Sequence, residues 1–240
     1  MSDLTIIDLD VATDDPALVA RTFELVLRPS FTSDELSGVE AVRPGPLRVM
    51  TVAVDADGAP VAAAVTELEP DGVSLLGYLA VSPAARGLGA GGRLMAHLRD
   101  SWRAGRYPLV VAEVHDPRGH PEGDDEHPEA RLRFYGRAGA EVLDVPWVQP
   151  ALAGGARVPH MLLLVLHRES SGGGGPSVEG VATVPSAPLH AWALDYFVGS
   201  EGDEPRDPQG VALLTRLGAS DRIRVLPLDA WPQVVPLTVG

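Results

Sequence analysis

The chain has 240 residues and no cysteine, which excludes disulfides, thiolate metal sites and a cysteine nucleophile. Hydrophobic residues make up 45% and charged residues 22%, as in a globular protein with a real core. The formal net charge of -14 argues against nucleic acid or a membrane as partner, because such a surface repels phosphate. An acidic start and the lack of a long apolar stretch predict a cytoplasmic protein.

The first third of the chain predicts a strand, a helix and a hairpin. "TIIDLD" reads as a strand, and "DDPALVARTFELVLRPSF" combines an N-cap aspartate, an early proline and apolar residues at helical spacing. "SDELSGVEAV" is a candidate for a second, short helix. Two strand-like runs flank Asp57-Gly58, a dipeptide typical of a hairpin turn.

The middle of the chain alternates strands and helices. "VSLLGYLAV" is a strand, followed by a glycine-rich turn and a helix over residues 89–103. "PLVVAEVHD" is apolar enough for a central strand, "PEARLRFYGRAGAEVL" is a helix ended by Gly139, and "PHMLLLVLHR" is a further strand. This order predicts a mixed α/β sheet of about seven strands.

A polar linker separates this domain from a tail. We expect a domain over residues 1–168, the Gly/Ser-rich linker "ESSGGGGPS" over 169–177, and a small α/β extension of unknown role over 178–240. The extension reads as strand, helix, helix and strand, which is short for an independent core. It is expected to pack on the main domain or on a partner subunit, so a homodimer is left open.

The segment "YLAVSPAARGLGAGGRLMAHL", residues 78–98, places glycines where a helix begins. The first four N–H groups of a helix lack internal partners and carry partial positive charge. Glycines let the backbone curl so that these groups point at one anion without Cβ atoms in the way. The pattern is therefore typical of a cradle for a diphosphate.

Three nucleotide-binding patterns compete for this turn. The P-loop requires Gly-Lys followed by Ser or Thr, which is missing here, and the dinucleotide fingerprint G-x-G-x-x-G fits only loosely. The pattern Arg/Gln-x-x-Gly-x-Gly/Ala is met in full by Arg86, Gly89 and Gly91. A second motif, "RFYGRAGAE", contains Phe134, Tyr135 and Gly139.

Together and in this order, the two motifs resemble the GNAT family, the Gcn5-related N-acetyltransferases, over roughly residues 4–168. The resemblance implies a mostly antiparallel sheet flanked by helices, and acetyl-CoA as the cosubstrate, with no metal expected. In the family the turn binds the diphosphate, while the preceding strand holds the pantetheine arm and directs an N–H at the thioester oxygen. Carried over by position, these residues are Leu79, Ala80, Val81, Arg86, Gly87, Leu88, Gly89, Ala90 and Gly91.

Acetyl transfer to an amine also needs an acid and a base. The resemblance places Tyr135 where the family has its tyrosine acid, near the CoA sulfur. Glu113, on the strand after the turn's helix, is the first choice for the base. Glu67, Glu69, Asp116 or an ordered water remain alternatives, and strand alternation puts His115 on the same face as Glu113.

The loop "HDPRGHPEGDDEHPEAR", residues 115–131, is long and acidic, so its carboxylates could attract a cationic acceptor. The spacing of His115, His120 and His127 fits no zinc pattern. Trp147, Gln149 and Pro150 are candidates either for the wall of the acceptor pocket or for simple packing.

The leading hypothesis is an acetyl-CoA-dependent N-acetyltransferase acting on a primary amine of a small molecule. The alternatives are a protein acetyltransferase that modifies an N-terminus or a lysine, and a non-catalytic domain that binds acyl-CoA as a sensor or interaction module. All three predict binding of acetyl-CoA, and only the first two predict release of CoA with a suitable amine.

Overall fold

The described part of the chain forms ten strands and five α-helices. The computed structural model describes residues 4–32, 35–36, 38–70, 72–121, 123, 127–152, 155–169 and 182–237. The strands in these residues are β1 (Thr5–Leu9), β2 (Arg48–Val54), β3 (Pro60–Glu67), β4 (Val73–Val81), β5 (Leu109–His115), β6 (Glu141–Leu143), β7 (Trp147–Gln149), β8 (Val158–Arg168), β9 (Thr183–Pro185) and β10 (Arg222–Pro227). The α-helices are α1 (Pro16–Thr22), α2 (Ala90–Gly105), α3 (Pro128–Arg137), α4 (Ser186–Glu201) and α5 (Pro208–Gly218).

The chain divides into two compact units, the first formed by Met1–Pro70 and Ser74–Tyr107. In this unit β1, β2, β3 and β4 pair in that order, each antiparallel to the next. The hairpin predicted around Asp57-Gly58 is confirmed, because Gly58 takes the left-handed φ of 77° that such a turn requires. The Asp55 carboxylate accepts the N–H groups of Asp57 and Ala59 and closes the loop.

The first predicted helix is also confirmed. Asp15 caps α1 by accepting the N–H groups of Ala17 and Leu18 at 3.1 and 3.0 Å, and the helix continues as a π-helical turn over Phe23–Leu27. The second predicted helix is reduced to a 3₁₀ turn at Val39–Ala41 in the described residues; positions 33, 34 and 37 lie outside them. Gly38, with a non-helical φ of 155°, directly precedes this turn.

The core of this unit lies between the sheet and α1. Leucines and valines of the helix and its π-turn pack on the apolar side chains of β2, β3 and β4. The fully buried members are Val26, Leu27, Val42, Met50, Val52 and Ala63.

The second unit comprises Asp71–Val73 and Pro108–Gly240. Its sheet has the order β5-β8-β6-β10-β9, with β7 also on β8, and every pair is antiparallel. Both predicted helices and the second predicted strand of the tail are present. The strand predicted in "VEGVATV" is described only from Thr183 to Pro185, since residues 178–181 lie outside the described set. The tail strand β10 pairs with β6, with Val225 opposite Leu143, so the extension continues this sheet.

These features confirm a mixed α/β fold with mostly antiparallel sheet. The strand count exceeds the predicted seven, since β6 and β7 have three residues each and carry no strong period-two signal. Of the linker 169–177, the structure describes Glu169 alone, whose N–H donates to Pro108. Among the described residues, none of the helices combines the length and the apolar character that a bilayer crossing demands.

Candidate functional site

The glycine-rich turn joins β4 to α2 in the first unit. A 3₁₀ turn at Pro83–Ala85 ends the strand, and Gly87 and Gly89 then adopt left-handed φ values of 78° and 84°. A side chain at either position would be strained. Gly89 is the N-cap of α2, and it offers no side chain to the exposed N–H groups of the first turn.

The turn leaves a group of backbone N–H donors open. The first intrahelical bond of α2 runs from the N–H of Arg93 to the carbonyl of Gly89, at 3.1 Å, so the N–H groups over residues 90–92 precede it. A Cβ built on Gly87, Gly89 or Gly92 would meet no heavy atom within 4 Å. An anion can therefore approach these donors closely, and the dipole of a 16-residue helix favours it there.

A β-bulge precedes the predicted pantetheine-binding segment. Val65 of β3 faces Tyr78, whereas its neighbour Thr66 faces Leu76, so Gly77 is an extra residue in β4. Such a bulge bends a strand and re-aims the residues beyond it. Those residues are Leu79 and Val81, which are half-buried, and Ala80, which is buried.

In the second unit, three side chains converge on the carboxylate of Glu113. Trp147 donates its indole N–H to Oε1 at 2.5 Å, and Gln149 donates its amide N–H to Oε2 at 2.8 Å. The hydroxyl of Tyr196 donates to Oε2 at 3.0 Å. Burial raises the pKa of Glu113, and the three donors oppose that rise by stabilising the ionised form.

The aromatic rings beside Glu113 come from β7 and α4. Trp192 and Tyr196 lie four residues apart on α4 and therefore share a face of the helix. The Trp192 ring stacks on Trp147, with 5.3 Å between centroids and 17° between planes, and the ring of Tyr196 lies 5.5 Å from that of Trp192. Trp147 is fully buried, whereas Trp192 and Tyr196 are partly exposed.

Tyr135, the predicted acid, lies on α3 and is 9% exposed. Burial raises the pKa of its hydroxyl to about 12, and the charge of Arg131 acts in the opposite direction. The phenol is therefore protonated throughout the neutral range. The end of α3 is set by Gly139, whose left-handed φ of 78° stops the helix as predicted.

The alternative bases have other partners. Glu67 pairs with Arg48 at 2.8 Å on an exposed part of the first sheet, and Glu69 is exposed. Asp116 is buried and is held by Arg118, whose Nη2 lies 2.6 Å from Oδ2. Arg118 also donates to the carbonyls of Pro232 and Val234, so this pair anchors the end of the described chain.

The predicted acidic loop is only partly described, since residues 122 and 124–126 lie outside the described set. In it the rings of His115 and His120 stack with centroids 4.1 Å apart, and His120 Nε2 lies 2.8 Å from the carbonyl oxygen of Pro159. In the described part of the chain, no cluster of three His, Cys, Asp or Glu side chains could hold a metal ion.

Sequence reasoning identified Glu113, Trp147 and Gln149 separately but not their contact with one another. It missed Tyr196 and Trp192 altogether. Their spacing of four residues in an apolar helix was the available signal, but it does not reveal which part of the chain the helix covers.

Comparison with known proteins agrees with the first of the two sequence motifs, whereas "RFYGRAGAE" lies beyond the matched range. Residues 20–121 match the model of the acetyltransferase (GNAT) family. A GNAT-family acetyltransferase structure from Bacteroides thetaiotaomicron aligns at 22% identity over 69% of this chain and 87% of its own, with a TM-score of 0.53. This match supports the fold.

Two further solved structures align less closely. A GNAT-family acetyltransferase from Elizabethkingia anophelis, with acetyl-CoA bound, matches at 15% identity over 68% of this chain and 97% of its own, with a TM-score of 0.44. The ribosomal-protein-S18-alanine N-acetyltransferase of Escherichia coli matches at 15% identity over 72% and 99%, with a TM-score of 0.47. No curated protein matches the chain.

Proposed function

We propose that the chain transfers an acetyl group from acetyl-CoA to a primary amine, most simply that of a small molecule, since residues 20–121 match the model of the GNAT acetyltransferase family. The observation that carries the proposal is the turn between β4 and α2. Its open N–H donors and its three positions with free space for a Cβ suit the diphosphate of CoA.

In this proposal the backbone from Arg86 to Gly91 binds the diphosphate, and Leu79, Ala80 and Val81 bind the pantetheine arm. The bulge at Gly77 supports the second role, because it redirects the strand immediately before these residues. An N–H of this segment would donate to the thioester oxygen, where negative charge develops during the transfer.

Glu113 is the proposed base. An ammonium ion has no free electron pair, so the carboxylate must first accept a proton from the acceptor, directly or through a water. The neutral amine then attacks the acetyl carbon, and the tetrahedral intermediate collapses as the C–S bond breaks. Burial supports this role, since it raises the pKa of the carboxyl toward that of a useful base.

Tyr135 is the proposed acid that delivers a proton to the departing CoA thiolate. A phenol whose pKa is about 12 is fully protonated at neutral pH and can donate a hydrogen bond to the sulfur as charge develops there. The nitrogen loses its second proton as the amide forms, and this proton returns through solvent to the oxygen of Tyr135. Glu113 releases to solvent the proton that it took from the ammonium, so both side chains are restored and one proton is set free per transfer.

The test is a panel of primary amines with acetyl-CoA, followed by detection of free thiol. The panel includes polyamines, amino acids, aminoglycosides and short peptides with free N-termini. Turnover with a small amine supports the proposal, and turnover with peptides alone would replace it by the protein acetyltransferase. Calorimetry with CoA is run in parallel.

Two variants separate catalysis from binding. Glu113→Gln should bind CoA normally and lose turnover at least a hundredfold, whereas Glu67→Gln, on the exposed face of the first sheet, should keep both. If wild-type protein binds CoA and no amine in the panel releases thiol, the results favour a non-catalytic domain that binds acyl-CoA as a sensor.

A further inference from the structure

We infer that the C-terminal extension supplies a positioning residue to the proposed function: Tyr196, which orients the carboxylate of Glu113. This inference rests on the proposed function, in which Glu113 is the base. It assigns the residues beyond 178 a role in catalysis, rather than one of packing alone.

The geometry of the Glu113 carboxylate supports this role for Tyr196. An ionised carboxylate offers about four lone-pair positions, two on each oxygen. Gln149 and Tyr196 both donate to Oε2, while Trp147 alone donates to Oε1. The described residues therefore fix both oxygens and leave one lone pair of Oε1 for a proton of the acceptor.

Helix α4 directs the Tyr196 hydroxyl at the Glu113 carboxylate. Leu189, Ala193 and Phe197 form its fully buried stripe, and Trp192 and Tyr196 form the adjacent stripe that reaches Trp147 and Glu113. Packing alone would be met by phenylalanine. The hydroxyl of Tyr196 gains nothing from apolar contact, yet it points at the carboxylate.

Hydrogen bonds also hold the C-terminal end of α4 in place. Glu201, the last residue of the helix, receives two bonds from Arg157 and the N–H of Ala151. Ala151 lies two residues after β7, the strand that carries Trp147 and Gln149. The same short stretch of chain therefore holds two of the donors and fixes the helix that supplies the third.

The surroundings of Glu113 make the effect of Tyr196 measurable. Its cross-strand neighbour in β8 is Leu163, β7 presents Trp147 and Gln149, and α4 presents Tyr196. Burial and these three donors are the causes of its altered pKa, and no charged side chain of these elements, or of α3 beside β5, is among them. Removal of one donor must therefore raise the pKa of Glu113 further.

The experiment titrates Glu113 directly in the full chain, with side-chain carboxyl carbons of glutamate labelled with ¹³C and the Glu113 signal assigned by its loss in Glu113→Gln. Tyr196→Phe removes only the hydroxyl and should move the midpoint to higher pH than in wild type. Tyr107→Phe, in the first unit, is the matched control and should not move it. An unchanged midpoint in Tyr196→Phe would overturn the inference.

The second readout is the pH profile of kcat/KM with the best amine of the panel. Tyr196→Phe should lower kcat/KM about tenfold at neutral pH, the worth of one hydrogen bond to a charged group, with recovery toward high pH and little change in KM for acetyl-CoA. A pH-independent loss would mean that Tyr196 only packs.

The two hypotheses fail separately. If no amine releases thiol, the proposed function fails, whereas the titration still decides whether Tyr196 orients Glu113. If Tyr196→Phe does not fold, as judged by circular dichroism, wild-type protein with ¹³C-labelled tyrosine replaces it. The Tyr196 ring signal should then shift at the same midpoint as the Glu113 carboxyl, and independent titration would overturn the inference.

Discussion

Arg157 Nη2 lies 2.6 Å from Oε2 of Glu201, and the two side chains are only 17% and 18% exposed. The Arg157 guanidinium also lies 2.8 Å from Asp207 at the start of α5 and 5.0 Å from the ring centre of Phe197. One arginine thus joins the strand-linking segment before β8 to both helices of the C-terminal extension.

This ion pair should contribute strongly to stability. We expect Glu201→Gln to lower the free energy of unfolding by about 2 kcal/mol, because it leaves a shielded guanidinium with one carboxylate in place of two. Urea denaturation followed by circular dichroism measures the change. Asp203→Asn is the control: its pair with Arg206 is highly exposed, and we expect a change within about 0.5 kcal/mol.

The same pair should make the protein acid-sensitive. The hydrogen bonds from Arg157 lower the pKa of Glu201 and that of Asp207. A lowered folded-state pKa gives stability that is present above the ordinary value, 4.5 for Glu201, and is lost as pH falls through the folded value. Unfolding free energies measured from pH 7 to pH 3 should therefore fall less steeply in Glu201→Gln than in wild type. Parallel curves would contradict this.

Substitutions at the glycine turn should abolish CoA binding. Gly89→Val adds a side chain in the open space over the N–H donors and strains a left-handed residue, so we expect the Kd for CoA to rise at least a hundredfold, the loss of about two charge-assisted hydrogen bonds. Isothermal titration calorimetry measures it. Gly58→Val places the same strain in the β2–β3 hairpin and should bind CoA as wild type does. Normal CoA binding by Gly89→Val would show that the glycine turn does not bind the diphosphate.

Gly92→Ala offers a gentler version of that test. Gly92 lies in the first turn of α2 with ordinary helical backbone, so a methyl group there is unstrained and should stabilise the helix by up to about 1 kcal/mol. Weaker CoA binding by a more stable protein would show that CoA occupies the space above the turn. Unchanged CoA affinity would place the diphosphate elsewhere.

Tyr135→Phe should separate turnover from binding. Removal of the hydroxyl eliminates the proposed proton donor without opening a cavity, so we expect kcat to fall about a hundredfold and the Kd for CoA to stay the same. Because the pKa of Tyr135 is about 12, the wild-type pH profile should show no basic limb from this group up to about pH 10. A fully active variant would exclude the acid role.

Substitution of Asp116 should reduce stability, whereas substitution of Glu113 should reduce activity. Asp116 is buried in a two-oxygen contact with Arg118, so we expect Asp116→Asn to lower the free energy of unfolding by about 2–3 kcal/mol and to leave the acidic limb of the activity profile in place. Thermal denaturation and pH–rate measurements on the same sample check both. A shifted limb with unchanged stability would favour Asp116 as the base.

The local features of the fold could be read from the sequence because each has a local physical cause. Asp15 and Pro16 start α1, Gly58 closes a hairpin, and Gly139 stops α3, all through backbone preferences of single residues. The glycine turn belongs to the same class, since its donors and its open space come from one short stretch. The family match over residues 20–121 includes that stretch.

The convergence on Glu113 could not be read in that way. Tyr196 lies 83 residues from Glu113 in sequence, and the contact depends on β10 pairing with β6 and on the seating of α4. Single-sequence patterns show that a helix has an apolar face, not which surface it covers. The strands β6 and β7 could not be predicted either, because three residues are too few for a period-two signal.

The place of β10 beside β6 also bears on how the protein is made. During synthesis β6 emerges about 80 residues before its partner, with Val142 and Leu143 on an open sheet edge until β10 leaves the ribosome. A premature stop after β8 would release a chain in which this edge of β6 stays unpaired, and an unpaired strand edge favours aggregation.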